Sequence, residues 1–387
     1  MSTAPPAHPL SLPVVWAGAF AFLTLGVLQA VYGPAFPAFE ERYGVTTAQV
    51  GLMASAHFIG SASAPPLAGL LLTRLGLGRV VTAGFVLLAA GVGLVALAPS
   101  WPLALLGALV GGLGLGGVSA ALNASYALFG TQAINFVNAV FGVGSMLAPL
   151  LLTLSAARGG SPLPLTFGTI AGLAVLSLLV FAFALSTWGL PRRHSTLDER
   201  TQQAQGGKLG LFTALMLLYV GLEVGTGAWA AKALSASGHA HPALMVSAYW
   251  GGLTVSRILT SLFGARFAAG RLVLGAAVLA TLAAGLSLVP ALAPLAYVLV
   301  GLACGPIFPT TLAWAAQHLP PRLLTLTLVG GSAGGILMPW LLGLGFAGLG
   351  AWAVPALLTL CGVLLSGLVL LTLRLTHRLP PMPPERV

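Results

Sequence analysis

Long apolar stretches recur along the whole chain and are separated by short polar links. A helix rises ~1.5 Å per residue, so a hydrocarbon layer of ~30 Å requires roughly 20 apolar residues. On this scale the sequence predicts an all-α membrane protein with twelve transmembrane helices, near residues 14–38, 49–72, 80–98, 102–129, 132–155, 164–187, 209–234, 242–265, 272–290, 293–317, 323–348 and 351–375.

Composition supports a chain that lives in a lipid bilayer. Hydrophobic residues make up 58% of the sequence and charged residues 6%, which is too much apolar surface for a water-soluble globule. The net charge of +10 comes from basic residues in the short links, where they meet lipid headgroups. We therefore expect the bilayer, and not nucleic acid, as the surrounding partner.

The basic residues also predict the orientation of the chain. With both termini in the cytoplasm, inner segments carry twelve Lys and Arg residues and outer segments three. This asymmetry predicts a multi-pass protein of the plasma or inner membrane with cytoplasmic termini. The inner residues are Arg74, Arg79, Arg192, Arg193, Arg200, Lys208, Arg266, Arg271, Arg322, Arg374, Arg378 and Arg386, and the outer ones are Arg42, Arg158 and Lys232.

One long polar stretch divides the chain into halves of similar length. We predict an N-terminal six-helix bundle over 1–187, a cytoplasmic linker over 188–208, and a C-terminal bundle with a short cytoplasmic tail over 209–387. The N-terminal segment is interpreted as an uncleaved first helix, because its apolar run is too long for a signal peptide.

Short sequence matches relate the two halves. Arg74–Arg79 (RLGLGR) recurs as Arg266–Arg271 (RFAAGR) at an offset of 192 residues. At an offset of 190, Gly144 and Pro149 recur as Gly334 and Pro339, and Leu109-Val110-Gly111 recurs as Leu299-Val300-Gly301. Two parallel six-helix repeats of this kind are typical of transporters that work by alternating access.

Glu223 is the one acidic residue inside a predicted span. Burial favours its neutral form, so it is a candidate for proton coupling or for binding a substrate hydroxyl; a purely structural carboxylate is the alternative. Arg257 lies in the eighth span and has a gating or pairing role or extends toward the cytoplasm. Counting the helical rise places Glu223 roughly 21 Å and Arg257 roughly 13 Å deep, so a direct pair is possible but strained.

Amide side chains gather on the first, fourth and fifth predicted helices. Gln29, Asn123, Asn135 and Asn138 are candidate substrate-binding residues, because amides donate and accept hydrogen bonds as a polyol requires. Trp250 is a candidate for stacking on the apolar face of a sugar. Hydrogen bonding between helices and core filling are the structural alternatives.

Several classes of function find no signal in the sequence. It contains no phosphate-binding loop and no His-Glu-x-x-His, and Cys304 and Cys361 lack metal-site spacing. We expect no cofactor, no metal and no enzymatic activity, and hence secondary or facilitated transport by a monomer. A small neutral solute such as a sugar is the first hypothesis; a drug or metabolite exporter and a non-transporting sensor or scaffold are the alternatives.

The stretch Gly69–Arg79 (GLLLTRLGLGR) resembles the signature between helices 2 and 3 of the major facilitator superfamily. The resemblance implies a gating role for Gly69, Arg74, Gly78 and Arg79. Thr73 stands where that signature usually has Asp, which weakens the charge contacts expected to hold the inner gate shut.

Within that superfamily the chain resembles the fucose permease family, which couples sugar entry to protons. The resemblance rests on residues 119–123 (SAALN), 135–144 (NFVNAVFGVG), 219–229 (YVGLEVGTGAW), 250–257 (WGGLTVSR) and 305–309 (GPIFP). It implies a small-molecule substrate and a proton or other coupling ion. Gly33 and Ser119 occupy the positions of that family's two coupling acids, so either Glu223 has taken over coupling or the chain is a uniporter or uses another ion.

Overall fold

The structure, a computed structural model, describes residues 12–127, 131–188, 206–319 and 321–377. Within these ranges the chain forms thirteen α-helices and two short 3-10 helices, Gly264–Arg266 and Pro290–Leu292. The α-helices are α1 Leu12–Tyr43, α2 Thr47–Leu75, α3 Leu77–Leu97, α4 Trp101–Ala127, α5 Thr131–Ala156, α6 Leu163–Trp188, α7 Gly206–Ala236, α8 Pro242–Phe263, α9 Ala269–Leu286, α10 Ala293–Cys304, α11 Ile307–Ala316, α12 Pro321–Leu349 and α13 Ala353–His377.

The helices make twelve passes, because α10 and α11 together form one span, Pro290–Ala316. The break lies at Gly305 and Pro306, and Pro306 has no N–H to continue the helical hydrogen bonds. Ten spans of the described chain are long and apolar enough to cross a membrane. The other two passes are α2 and α8, and α8 is less apolar because it carries Arg257 and several hydroxyl residues. The predicted twelve-helix architecture is therefore confirmed.

Several helices are longer than the hydropathy pattern predicted, and the differences in α1 and α7 concern charged residues. The first continues to Tyr43, so Glu40 lies in the last turns of α1 and not in a link. In the same way α7 continues to Ala236, and Lys232, which lies within the predicted span 209–234, is inside the helix with a buried side chain. The assignment of Arg42 and Lys232 to outer segments was therefore wrong, because charged residues near a helix end lower the local hydropathy without ending the helix.

The bundle has two faces that are used below as reference points. The terminal face is the one where α1 begins and α13 ends; it also carries the α2–α3 and α8–α9 links. The opposite face carries the α1–α2 and α7–α8 links. Large apolar side chains such as Leu97, Phe183 and Leu262 are exposed on the outside of the bundle, as expected for contact with lipid.

Equivalent helices of the two repeats make equivalent contacts. In the first repeat α1 packs on α5, and in the second α7 packs on α12. A methyl group on Gly144 of α5 would come within 2.2 Å of the Leu23 carbonyl oxygen, and one on Gly334 of α12 within 2.0 Å of the Leu217 carbonyl oxygen. Glycine at both matched positions thus permits the same close approach of two helix backbones.

The repeats meet along three helix pairs: α1 with α7, α2 with α12, and α5 with α8. Ser55 of α2 donates to the Ile336 carbonyl oxygen of α12 at 2.8 Å. In the α5–α8 pair, Gly142 lies against the side chain of Thr254. These contacts involve the middle of the helices and their halves nearest the opposite face.

The predicted cytoplasmic linker over 188–208 lies largely outside the described residues. The helix α6 ends at Trp188, and α7 begins at Gly206. The residue boundaries predicted for the two bundles therefore remain predictions.

Candidate functional site

A narrow cavity of about 20 Å³, which is room for about one water molecule, lies between the repeats among α1, α2, α7 and α8. It is lined by Gln29, Ala30, Tyr32, Gly33, Ala54, Phe58, Val224, Gly227, Ala228 and Trp250. Both repeats of one chain contribute to its wall. Of the residues predicted to bind substrate, the structure brings Gln29 and Trp250 to this cavity.

Two hydrogen-bonding groups of the cavity wall are buried and make no hydrogen bond with the described residues. They are the hydroxyl of Tyr32 on α1 and the indole Nε1 of Trp250 on α8. The side chain of Trp250 is held against α7, because a methyl group on Gly227 would come within 2.8 Å of its ring. Buried polar groups are normally hydrogen-bonded, and Tyr32 and Trp250 both line the cavity, which makes these two groups candidates for binding a polar partner.

Gln29 and His57 connect the cavity wall to the interior of the first repeat. The Gln29 carboxamide oxygen lies 3.4 Å from His57 Nε2, and the rings of His57 and Tyr32 lie 4.9 Å apart. His57 itself is fully buried. The histidine therefore orients Gln29 and Tyr32, which face the cavity.

Glu223 and Arg257 form an ion pair between α7 and α8. The distance between the Glu223 carboxylate and the Arg257 guanidinium is 2.8 Å. Tyr249 of α8 donates to the Glu223 backbone carbonyl oxygen at 2.8 Å, which fixes the two helices at this level. The difference in depth predicted from helical rise is bridged by the long arginine side chain. The two charges cancel, so this part of the site carries no net charge.

The amides on α4 and α5 bond to one another. Asn138 donates to the Asn123 carboxamide oxygen at 3.2 Å, and Asn123 donates to the Ser119 carbonyl oxygen at 2.9 Å. Asn135 lies on α5, but its side chain is outside the described residues. The hydrogen bonding between helices that was the alternative reading is thus present for Asn123 and Asn138.

The residues with a predicted gating role lie at the terminal face. Arg74 is in the last turn of α2 and Arg79 in the first turn of α3, and both side chains are exposed. Gly78 also lies in the first turn of α3, and Gly69 lies in a part of α2 whose side chains are outside the described residues. A left-handed glycine, Gly76 (φ 77°), makes the turn between the two helices.

An ion pair that the sequence analysis missed joins α1 to α7 near the opposite face. Lys232 of α7 bonds to the Glu40 carboxylate of α1, and its ammonium also lies 5.6 Å from the Phe346 ring. Beside it the rings of Phe36 and Trp229 pack at 5.2 Å, and Trp229 donates to the Pro339 carbonyl oxygen at 2.9 Å.

The backbone explains why Gly33 carries no acidic side chain. A methyl group at Gly33 would come within 2.4 Å of the Ala228 backbone on α7. Any side chain there would force α1 and α7 apart.

The sequence comparison identifies one family, while the curated proteins offer no match. The family model for the Major Facilitator Superfamily matches residues 18–231, which is more than half of the chain.

Solved structures of several transporters have a similar fold. A D-xylose-proton symporter has a TM-score of 0.73 at 14% identity, with 91% of this chain and 96% of that chain covered. The fucose:proton symporter of E. coli has a TM-score of 0.63 at 17% identity, with 92% and 98% covered. A bacterial homologue of the human lysosomal transporter Spinster, inward-facing and occupied, has a TM-score of 0.76 at 15% identity, with 93% and 96% covered.

The helix count, the repeated packing and the family match agree with one another. The chain belongs to the Major Facilitator Superfamily of secondary transporters.

Proposed function

We propose that this transporter moves a small uncharged polar solute, such as a sugar, by alternating access of the cavity between its repeats. The carrying observation is that the Tyr32 hydroxyl and the Trp250 indole N–H are buried and have no hydrogen-bond partner in the part of the chain that the structure describes. A solute hydroxyl accepts from the indole and exchanges hydrogen bonds with the phenol, and the flat indole face supports stacking on a sugar ring.

The electrostatics of the site support a neutral solute. Glu223 is neutralised by Arg257 at 2.8 Å, so a cationic substrate finds no free carboxylate there. The amides of Asn123 and Asn138 are partly occupied by each other, so we assign them a smaller share of binding than Gln29. Asn135 remains a proposed substrate-binding residue.

We propose proton coupling at Glu223. The symporters for D-xylose and fucose among the similar structures couple transport to protons, which supports the same mode here. Protonation of Glu223 would release Arg257, whose side chain is about a quarter exposed and whose N–H groups would then be offered to the solute or to the gate. A uniporter would show no such dependence on a proton gradient.

The protein is proposed to reside in the plasma or inner membrane, with its terminal face toward the cytoplasm. The exposed arginines Arg74, Arg79, Arg266 and Arg271 at that face support this orientation. Because the described contacts between repeats lie toward the opposite face, we assign the structure to a state closed on the outside. The cavity is complete within one chain, which supports transport by a monomer. Within this fold, Arg74, Gly78 and Arg79 are proposed to shape the inner gate together with Gly69.

One observation favours the exporter alternative. Tyr32, Phe58 and Trp250 line the cavity together with a single amide, Gln29, and such an aromatic wall suits a lipophilic compound. The non-transporting sensor would bind a solute without moving it.

Binding of a solute panel to the purified protein tests the proposal. We expect a neutral sugar to raise the unfolding temperature, and Tyr32→Phe and Trp250→Phe each to weaken its binding about tenfold, the loss of one buried hydrogen bond. The matched control is Tyr43→Phe, whose hydroxyl bonds to the Ala98 carbonyl oxygen near the opposite face and outside the cavity. Stabilisation by lipophilic cations alone would favour the exporter.

A further inference from the structure

A second concave site lies on the outside of the C-terminal repeat, at the terminal face. It is a groove of about 450 Å³ between the α8–α9 link and the break between α10 and α11. Arg266 and Arg271 stand at its mouth, and Leu272, Leu279 and Leu302 form its apolar walls. Its position on the outside separates it from the cavity between the repeats.

The charges at the mouth of this groove are not neutralised within the protein. Both arginine side chains are exposed, and neither forms an ion pair among the described residues. The Arg266 guanidinium lies 5.4 Å from the Phe263 ring, a contact that orients the cation without cancelling its charge. Two fixed cations at the level of the membrane–water boundary attract a negatively charged headgroup.

The interior of the groove has the opposite character. Leu279 is 61% exposed and Leu302 36% exposed along its walls. At Gly275 no atom lies within 4 Å of the point where a methyl group would be, so the floor is open. The cationic mouth and the apolar walls of the groove together suit an amphipathic molecule with an anionic headgroup and an apolar tail that lies along the helices.

We propose that this groove binds an anionic phospholipid of the inner leaflet, with the phosphate at Arg266 and Arg271 and an acyl chain along Leu279 and Leu302. In this proposal the Arg266–Arg271 motif of the second repeat binds the lipid phosphate. Pro306, at the break between α10 and α11, lines the same groove, so the lipid contacts a discontinuous helix of the transporter.

Native mass spectrometry of the purified protein titrated with phosphatidylglycerol or phosphatidylcholine tests this proposal. We expect phosphatidylglycerol to be retained preferentially, and Arg266→Gln/Arg271→Gln to lower its affinity roughly tenfold. The matched control is Arg74→Gln/Arg79→Gln, which removes the same charge from the equivalent link of the first repeat. Equal losses in both double variants would show nonspecific surface attraction and overturn the proposal.

A second variant tests the apolar walls of the groove, and it keeps the proposal testable if the double arginine variant does not fold. Gly275→Leu fills the open floor while leaving both arginines, and we expect it to lower phosphatidylglycerol retention by a similar factor with an unchanged unfolding temperature. Full retention in Gly275→Leu would contradict the groove. Glycerol phosphate is expected not to compete; effective competition would indicate a simple anion site and overturn the lipid assignment.

Discussion

At the scale of single residues, the Glu223–Arg257 pair determines the charge of the site. Each partner is costly to bury alone in a membrane bundle, and the pair offsets that cost. Their side chains are 11% and 24% exposed, so the pair is not fully sealed from its surroundings. A carboxylate that is held in a pair and yet reachable suits the proposed proton coupling.

Breaking this pair has a predictable effect on stability. Glu223→Gln leaves Arg257 unpaired and is expected to lower the free energy of unfolding by about 2 kcal/mol, less than for a fully buried pair because the guanidinium is partly exposed. The double variant Glu223→Gln/Arg257→Gln is expected to recover much of that loss. Unfolding in detergent measures both; losses that simply add would contradict an energetic pair.

At the scale of elements, the junction of α1 and α7 closes the cavity toward the opposite face. It combines the Glu40–Lys232 ion pair with the close approach of Gly33 to the Ala228 backbone. The ion pair acts through electrostatic attraction and the Gly33 approach through close steric fit, so each can be tested by its own substitution.

The ion pair is expected to stabilise the closed state. Lys232→Met leaves the Glu40 carboxylate unpaired and should raise, about fivefold to tenfold, the rate at which an impermeant maleimide reaches Ala54→Cys from the opposite face. The exchange Glu40→Lys/Lys232→Glu should restore slow labelling. Glu41→Gln is the control, because Glu41 is the exposed neighbour of Glu40. If Glu41→Gln accelerated labelling equally, the Glu40–Lys232 ion pair would have no specific role in closing the junction.

The close approach at Gly33 predicts a steric effect of the smallest possible side chain. Gly33→Ala places a methyl group within 2.4 Å of Ala228 and is expected to separate α1 from α7, so labelling at Ala54→Cys accelerates severalfold. Gly168→Ala is the matched control, since no atom lies within 4 Å of its added methyl group. Unchanged labelling in Gly33→Ala would mean that the junction is looser than described.

At the scale of the whole molecule, hydropathy and internal matches predicted the helix number and the repeated architecture. The matched glycines Gly144 and Gly334 have equivalent packing, so a weak sequence signal did report real geometry. The contacts between repeats were not predictable, because they depend on how two rigid bundles meet. Glu40 and Lys232 are 192 residues apart, and nothing local in the sequence indicates that they pair.

The sequence predicted only part of the candidate site, because the site lies between the two repeats and depends on how they meet. Residue type and depth predicted Gln29 and Trp250, which line the cavity, and Glu223 and Arg257, which form an ion pair; their functional roles remain predictions. Sequence position could not show that Asn123 and Asn138 bond to each other, nor that the buried Tyr32 hydroxyl makes no hydrogen bond within the described ranges. Such facts depend on side-chain direction, which spacing along a helix constrains only loosely.

The proposal that the cavity carries a neutral polar solute is tested most directly by uptake into liposomes that hold the purified protein. Labelled sugars are offered with and without an inward proton gradient, to the native chain and to Tyr32→Phe and Glu223→Gln. The account predicts saturable sugar uptake that the gradient drives above equilibrium, reduced affinity in Tyr32→Phe, and loss of gradient-driven accumulation in Glu223→Gln. Absence of sugar uptake by the native chain, with lipophilic cations transported instead, would contradict it.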